Sequence, residues 1–280
     1  MPLYINSNVA SMVSQRYLSK NTDALAKTYE RLSSGYRINH AGDDAAGLSL
    51  SEGLKAQVAG TEQATKNIQD GINMLQIAEG GFEIIADNLQ RIRELSVQAA
   101  NGTYATAERQ AMLNEIQQRV LEITRISHTA TYNGISLLSS EATSIILQIG
   151  ASTDEYSTLN IRDAFTTCTA TTLGILINET GSSWTPDKIH EYMDKLDKAI
   201  GTVVQSRSMI GAYQNRVESA LGNLTIMSEN LTAAESRIRD TDIAKETSTL
   251  TKYQILQQAS SSVLSQANQL SAVALQLLQG

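Results

Sequence analysis

Apolar residues recur every seven positions through the second half of the chain. Leu196, Val203, Ile210, Val217, Leu224, Leu231 and Ile238 follow one another at that interval, and Ala199, Ser206, Tyr213, Ala220, Met227 and Ala234 stand three further on. This is the signature of one long helix with a continuous packing seam. Six heptads at about 1.5 Å per residue, without an internal proline, span on the order of 60 Å, so the seam predicts a partner of similar length. Ile68, Ile72, Leu75, Ala78, Phe82, Ile85, Leu89, Ile92, Leu95 and Ala99 keep three-and-four spacing and supply one. Asn101-Gly102 predicts a left-handed cap at its end. A third helix carries Leu113, Ile116, Val120, Ile123 and Ile126 on its stripe, ends near Tyr132-Asn133-Gly134, and forms a hairpin with the one before it. Glu79-Gly80-Gly81, inside a helical stripe, reads as close helix packing or a local bend.

The period changes between about Ser139 and Thr185. SIILQIGASTDEYSTLNIRDAF is Thr-rich and β-branched, breaks at Gly150, and alternates Tyr156, Thr158, Asn160 against Ser157, Leu159, Ile161. That alternation predicts a small strand or hairpin patch. NETGSSWTPDK reads as a loop, with Thr185 placed before Pro186 to cap the long helix that follows. Both ends carry seams of their own: Leu18, Leu25, Tyr29 and Leu32 near the start, and Leu256, Val263, Leu270 and Leu277 near the end with Ser260, Ala267 and Ala274 interleaved. The simplest architecture pairs the first and last segments as antiparallel helices. Seams of Ala, Ser and widely spaced Leu bury little area, which at about 25 cal/mol per Å² leaves the pair marginal against ordering entropy. The terminal segments are therefore expected to be weakly ordered in a free monomer and to fold on assembly.

Composition removes several functions. Two prolines and few aromatics (1 Trp, 10 Tyr, 2 Phe) leave helices uninterrupted, and 18% charged residues leave long neutral, polar faces. A net charge of -7 gives no global attraction for nucleic acid. No apolar run of about 18 residues exists to span a membrane, and MPLYINSNVASMVSQRYLSK lacks the layout of a cleaved export signal. Cys168 has no second ligand or base nearby in sequence and reads as a packing residue. His40, His128 and His190 are far apart and form no metal spacing, and no GxSxG, phosphate-binding GxxxxGK[ST] or GxGxxG motif follows a strand. The expectation is a protein without catalytic residues, metal or cofactor. Gly35 and Gly42 break the helical period, and Asp43-Asp44 are placed to cap the next helix. Arg16, Lys20, Lys27, Arg31 and Arg37 outnumber Asp23 and Glu30 in the first 40 residues, a local surplus of +3 (five minus two).

Two segments carry a resemblance. RLSSGYRINHAGDDAAGLSLSEGLKAQ (31–57) and SRIRDTDIAKETSTLTKYQILQQASSSVLSQANQ (236–269), with NIQDGINMLQIAEGGFEIIADNLQRIRELSVQAANGT (67–103) between them, resemble the terminal signatures of bacterial flagellin over roughly 1–135 and 187–280. The resemblance implies a mainly α fold: long antiparallel helices forming a terminal coiled coil and a helical rod domain, with a small β-hairpin patch. It implies an inner terminal domain of residues 1–44 plus 241–280, a rod domain of 45–240, and none of the large outer domains of longer flagellins. The implied function is a structural subunit that self-assembles into the flagellar filament for motility; a hook-filament junction protein and a secreted coiled-coil adhesin or scaffold are the alternatives. Gly35, Arg37, Asn39, Asp43 and Asp44 would lie in the connector between domains. Leu18, Leu25, Leu32, Leu256, Val263, Leu270 and Leu277 would form the assembly seam, its C-terminal part covered by a cytoplasmic export chaperone before assembly. Gln90, Arg91, Glu94, Leu95 and Glu115 would form the patch bound by the flagellin-sensing Toll-like receptor of animal hosts. Flagellar cap and junction proteins complete the implied partners, and the location implied is extracellular, reached without a cleaved signal.

Overall fold

Helix boundaries follow the residues that cap them. In a computed structural model of the chain, which describes residues 7–139, 145–177 and 184–279 with side chains in the last helix through 269, there are five long helices, and the stretch between the third and fourth holds the strands. The side chains of Leu270 and Leu277 and the loop residues 178–183 lie outside what is described. Helix α1 (Val9–Ser34) starts behind Asn8, whose side chain accepts from the Ser11 N–H at 2.9 Å, and stops at Gly35, left-handed at φ 77°. Helix α2 (Ala45–Ala100) starts behind Asp44, which accepts from the Gly47 N–H at 2.9 Å, as the acidic pair predicts. Helix α4 (Pro186–Arg239) places Pro186 at its first position, where the missing N–H costs nothing. Helix α5 (Ile243–Gln279) starts behind Asp242, which accepts from the Lys245 N–H at 3.1 Å. The predicted left-handed cap at Asn101-Gly102 does not form: the Asn101 side chain instead accepts from the Thr103 N–H at 3.3 Å, closing the turn with φ below zero.

The chain divides into two compact units, Met1–Ala56 with Asn230–Gly280, and Gln57–Glu229. The second holds the core. Phe82, Ile85, Leu89 and Ile92 of α2, Leu113, Ile116 and Ile123 of helix α3 (Thr106–Thr129), and Leu196, Val203, Ile210 and Val217 of α4 are all 0% exposed. The α4 seam is shorter than its heptads predict. It is closed through Leu224, whereas Met227 is 44% exposed and Leu231 and Ile238 are half-buried. The repeat continues there, but fewer elements of the same chain cover it.

The strand patch packs on α2. Strand β3 (Ile146–Gln148) pairs antiparallel with β4 (Thr158–Asn160), Leu147 opposite Leu159, and the predicted alternation holds: Leu147, Leu159 and Ile161 face inward while Tyr156 is 93% exposed. Three glycines of α2 are sockets for this layer. A Cβ on Gly60 would meet Ala151, one on Gly71 would meet Leu147, and one on Gly81 would meet Leu138. Gly81 therefore serves close packing, as its sequence context suggests, whereas Gly80 faces open space. A second hairpin, β1 (Thr131–Tyr132) with β2 (Ile135–Ser136), turns at Asn133 (φ 47°) and Gly134 (φ 78°). Two left-handed residues in a two-residue loop make a type I′ turn, so Asn133-Gly134 is a hairpin and α3 stops earlier, at Thr129. Cys168 is fully buried, its N–H on the Leu138 carbonyl at 3.0 Å, and burial pushes its thiol up to about 12. No helix among the described residues is long and apolar enough to cross a membrane.

Candidate functional site

In the terminal unit, α1 and α5 pair antiparallel through polar rungs more than through apolar burial. The Gln254 amide donates to the Tyr29 hydroxyl at 3.0 Å, Gln257 to Thr22 at 3.3 Å, Asn21 to Ser260 at 2.9 Å, and Ser11 to Asn268 at 2.7 Å. Leu25, Thr28 and Ala267 are buried between the helices, and Leu18 and Leu32 are half-buried. The C-terminal heptad positions do not close this pair. Leu256 is 37% and Val263 57% exposed, because Gln257, Ser260 and Ala267 occupy the face turned to α1. Leu256 and Val263 instead join Val13, Tyr17, Lys20 and Asn21 along an open groove of about 540 Å³. Val9 and Met12 extend the uncovered apolar surface, at 61% and 67% exposed.

The connector between α1 and α2 is held by its own residues together with groups that sequence spacing did not single out. The Arg37 N–H donates to the Arg239 carbonyl at 2.6 Å, and the Thr241 N–H to that of Gly35 at 2.9 Å, so Tyr36 and Asp240 form an antiparallel bridge. The Arg37 guanidinium donates to the Ile238 carbonyl at 2.5 Å, and Asn39 to that of Tyr36 at 3.3 Å. Asp43 forms an ion pair with Lys27 at 2.6 Å and accepts the N–H groups of Asn39 and His40, both at 3.3 Å. The hydrogen bond from Lys27, then those backbone N–H groups, hold its carboxyl down at about 2. His40 reaches Glu30 at 2.7 Å. Arg239 lies over the Tyr36 ring at 4.7 Å and pairs with Glu52 at 2.7 Å. Of the predicted connector residues, Gly35, Arg37, Asn39, Asp43 and Asp44 all take part in this polar structure, whereas Lys27, Tyr36, Glu52 and Arg239 were missed. Lys27 meets Asp43 across the α1–α2 turn, whereas Arg239 meets Tyr36 and Glu52 only when segments some 200 positions apart are folded together.

On the second unit, three predicted patch residues converge. Arg91 donates to Glu94 at 2.9 Å and to Glu115 of α3 at 3.4 Å. Arg119 joins through Glu115 at 3.2 Å and Asn88 at 3.2 Å. The Glu94 hydrogen bond foremost, with the Glu115 carboxylate, holds the Arg91 guanidinium above its ordinary value. Gln90 is exposed beside them. Leu95 is 3% exposed and lies in the core, so it supports this surface without being part of it. Arg119 was detectable as the residue four after Glu115 on one helix face. These pairs are half-exposed, so they shape a charged surface and add little stability.

Both terminal regions match known sequences. The family described as "Bacterial flagellin N-terminal helical region" matches residues 5–143, and "Bacterial flagellin C-terminal helical region" matches 193–278. Flagellin of Halalkalibacterium halodurans is 41% identical over 278 residues, covering 99% of this chain and 100% of the relative. Flagellin of Bacillus subtilis is 41% identical over 305 residues, covering 98% and 99%. Among solved structures, a Vibrio parahaemolyticus protein described as flagellar hook-associated covers 71% of this chain and 100% of its own, with a TM-score of 0.58 and 14% identity, a likeness of fold alone.

Proposed function

The chain belongs to the bacterial flagellin family, and from that premise we propose how its parts divide the work of a filament subunit. It is a structural subunit of the bacterial flagellar filament, with motility as its general role, and is a short form without a large outer domain. Flagellins form an extracellular filament. Our reading assigns residues 1–44 and 241–280 to an inner terminal coiled-coil domain and 45–240 to a rod domain that includes the β patch. The carrying observation is the uncovered apolar surface of the terminal pair, Val9, Met12, Val13, Tyr17, Leu256 and Val263, in contrast to the heptad positions Leu196, Val203, Ile210, Val217 and Leu224 of the second unit, which are buried. A neighbouring subunit's terminal helices cover that groove, and head-to-tail contacts that do not close by rotation continue as an open helical polymer. Burial at about 25 cal/mol per Å² then accrues only in the polymer, so the terminal helices gain order as the subunit is added.

Before assembly, an export chaperone covers the same C-terminal positions; at the filament's two ends, cap and junction proteins are the remaining partners of this reading. The junction alternative has only a likeness of fold behind it, whereas the flagellin relatives match along the whole chain. The test is elongation. Purified subunit added to short filament fragments is expected to extend them, and Val263→Asp to abolish extension while thermal unfolding of the rod stays where it was. Extension undiminished by Val263→Asp would remove the groove from the assembly interface.

A second reading concerns the charged surface of the rod. The Arg91, Glu94 and Glu115 cluster, with Gln90 beside it, favours recognition of the monomer by the flagellin-sensing Toll-like receptor of hosts. Arg91→Ala is expected to weaken receptor-reporter activation by the monomer with seeded elongation retained. An unaltered reporter response would reject it.

A further inference from the structure

We infer that Arg239 is the positioning residue that fixes the register of the α1–α5 pair. The inference rests on the filament reading above and concerns what aligns the two terminal helices within each subunit. An antiparallel helix pair takes its register from whatever a slip would cost most. Along most of this pair that cost is small. The rungs join Ser, Thr, Asn, Gln and Tyr at exposed or half-exposed positions, and few side chains are buried between the helices. Water replaces such rungs readily, so each net contribution is modest.

The connector end differs. There the two strands of chain exchange backbone hydrogen bonds, Arg37 to Arg239 and Thr241 to Gly35. The Arg239 side chain is 15% exposed, and its Nε is buried without a hydrogen-bond partner. Its desolvation is offset by two contacts, Glu52 at 2.7 Å and the Tyr36 ring at 4.7 Å, which come from different elements. Sliding the connector along α4 by one residue or one turn removes Tyr36 and leaves the guanidinium buried with half its compensation, the arrangement that costs most among polar groups. Because Tyr36 stands immediately after the Gly35 cap of α1, fixing Tyr36 against Asp240 fixes where α1 ends opposite the start of α5.

Register is read directly by cysteine pairs in the full chain. Asn21→Cys with Ser260→Cys bridges the observed register, and Asn21→Cys with Tyr253→Cys bridges one displaced by a heptad; intrachain disulfides are counted in seeded filaments. Cys168, buried in the folded rod, stays in place, and its resistance to alkylation reports that the rod is folded. With Arg239 present, the in-register bridge should dominate. Arg239→Ala should lower the in-register to displaced ratio by about tenfold, and Glu52→Gln should lower it less, since the ring contact survives. Arg239→Lys, keeping the charge near both partners, should restore most of the ratio. An unchanged ratio in Arg239→Ala and Glu52→Gln overturns the inference, as does an equal fall of both bridges, which would mean general loosening and not register. Absence of filaments from the chain with Arg239 intact would instead sink the filament reading.

Discussion

The two units are written in the same heptad pattern and end with opposite surfaces. In residues 57–229, Leu196, Val203, Ile210 and Val217 share one core with Phe82, Ile85, Leu89 and Ile92, and every one of these side chains is closed off from solvent. In the terminal unit, Leu256 and Val263 repeat at the same interval and stay outside, while Ser260 and Ala267 take the inner face. A heptad repeat states that a helix wants a partner. It does not state whether that partner lies in the same chain. The rod unit is a finished core, and the terminal unit is an unfinished one whose alignment depends on polar contacts.

The largest expected effect tests this contrast with one chemical change in two places. Leu89→Ala, at 0% exposure in the rod, should destabilise it by about 2–5 kcal/mol in denaturant unfolding of the monomer. Leu25→Ala, the most buried leucine of α1 at 8% exposure, should cost at most the low end of that range, about 2 kcal/mol, because fewer atoms surround it. Equal losses would mean that the terminal pair is as well packed as the rod.

A smaller effect sharpens how the rod is closed. Gly60→Ala sets a methyl 2.7 Å from the Ala151 Cβ and 3.4 Å from its Cα, and alanine has no rotamer with which to yield. Overpacking of this kind should cost about 1–3 kcal/mol. Gly80→Ala, on the same helix but facing open space, should stabilise by about 0.5–1 kcal/mol through helix propensity. Thermal unfolding of the two variants side by side separates socket from spacer; a shift of the same sign in both would show that α2 does not use glycine to seat the strand layer.

Much of this was legible in the residues. The stripes of α2, α3 and α4 are long and strongly periodic, and the β3–β4 alternation sorted Leu159 and Ile161 inward and Tyr156 outward. Three kinds of feature were not. Asn133-Gly134 reads in sequence as the end of a helix because strands of two residues leave almost no alternation beside the turn. The face that α5 turns to α1 was obscured because neutral Gln and Ser stand at the contact, where apolar periodicity is silent. The Tyr36, Glu52 and Arg239 cluster joins positions that no local spacing relates. The Arg91, Glu94 and Glu115 cluster follows from a resemblance and not from spacing, and Leu95 belongs by sequence to both packing stripe and patch; its burial places it in the stripe.

The smallest expected effect concerns acid, and it again separates the units. Asp43 lies 8% exposed against Lys27, with its carboxyl held at about 2, below the ordinary 3.8. A carboxyl whose folded value is depressed contributes stability above its unfolded value and loses it as pH falls through the folded one. The connector contribution should therefore be complete above about pH 4 and disappear between about pH 4 and pH 2. Amide exchange at Asn39 and His40, which donate to Asp43, reads this directly. Both should stay protected at pH 3 and open near pH 2, and Asp43→Asn should weaken protection at neutral pH and erase the acid step. In the rod, Arg93 likewise holds Asp197 low, but both partners are about half-exposed, so Asp197→Asn should leave rod unfolding nearly unchanged. Opening of the Asn39 and His40 amides already at pH 4 would mean that Lys27 does not hold Asp43, and that the connector is no better anchored than the rod's surface.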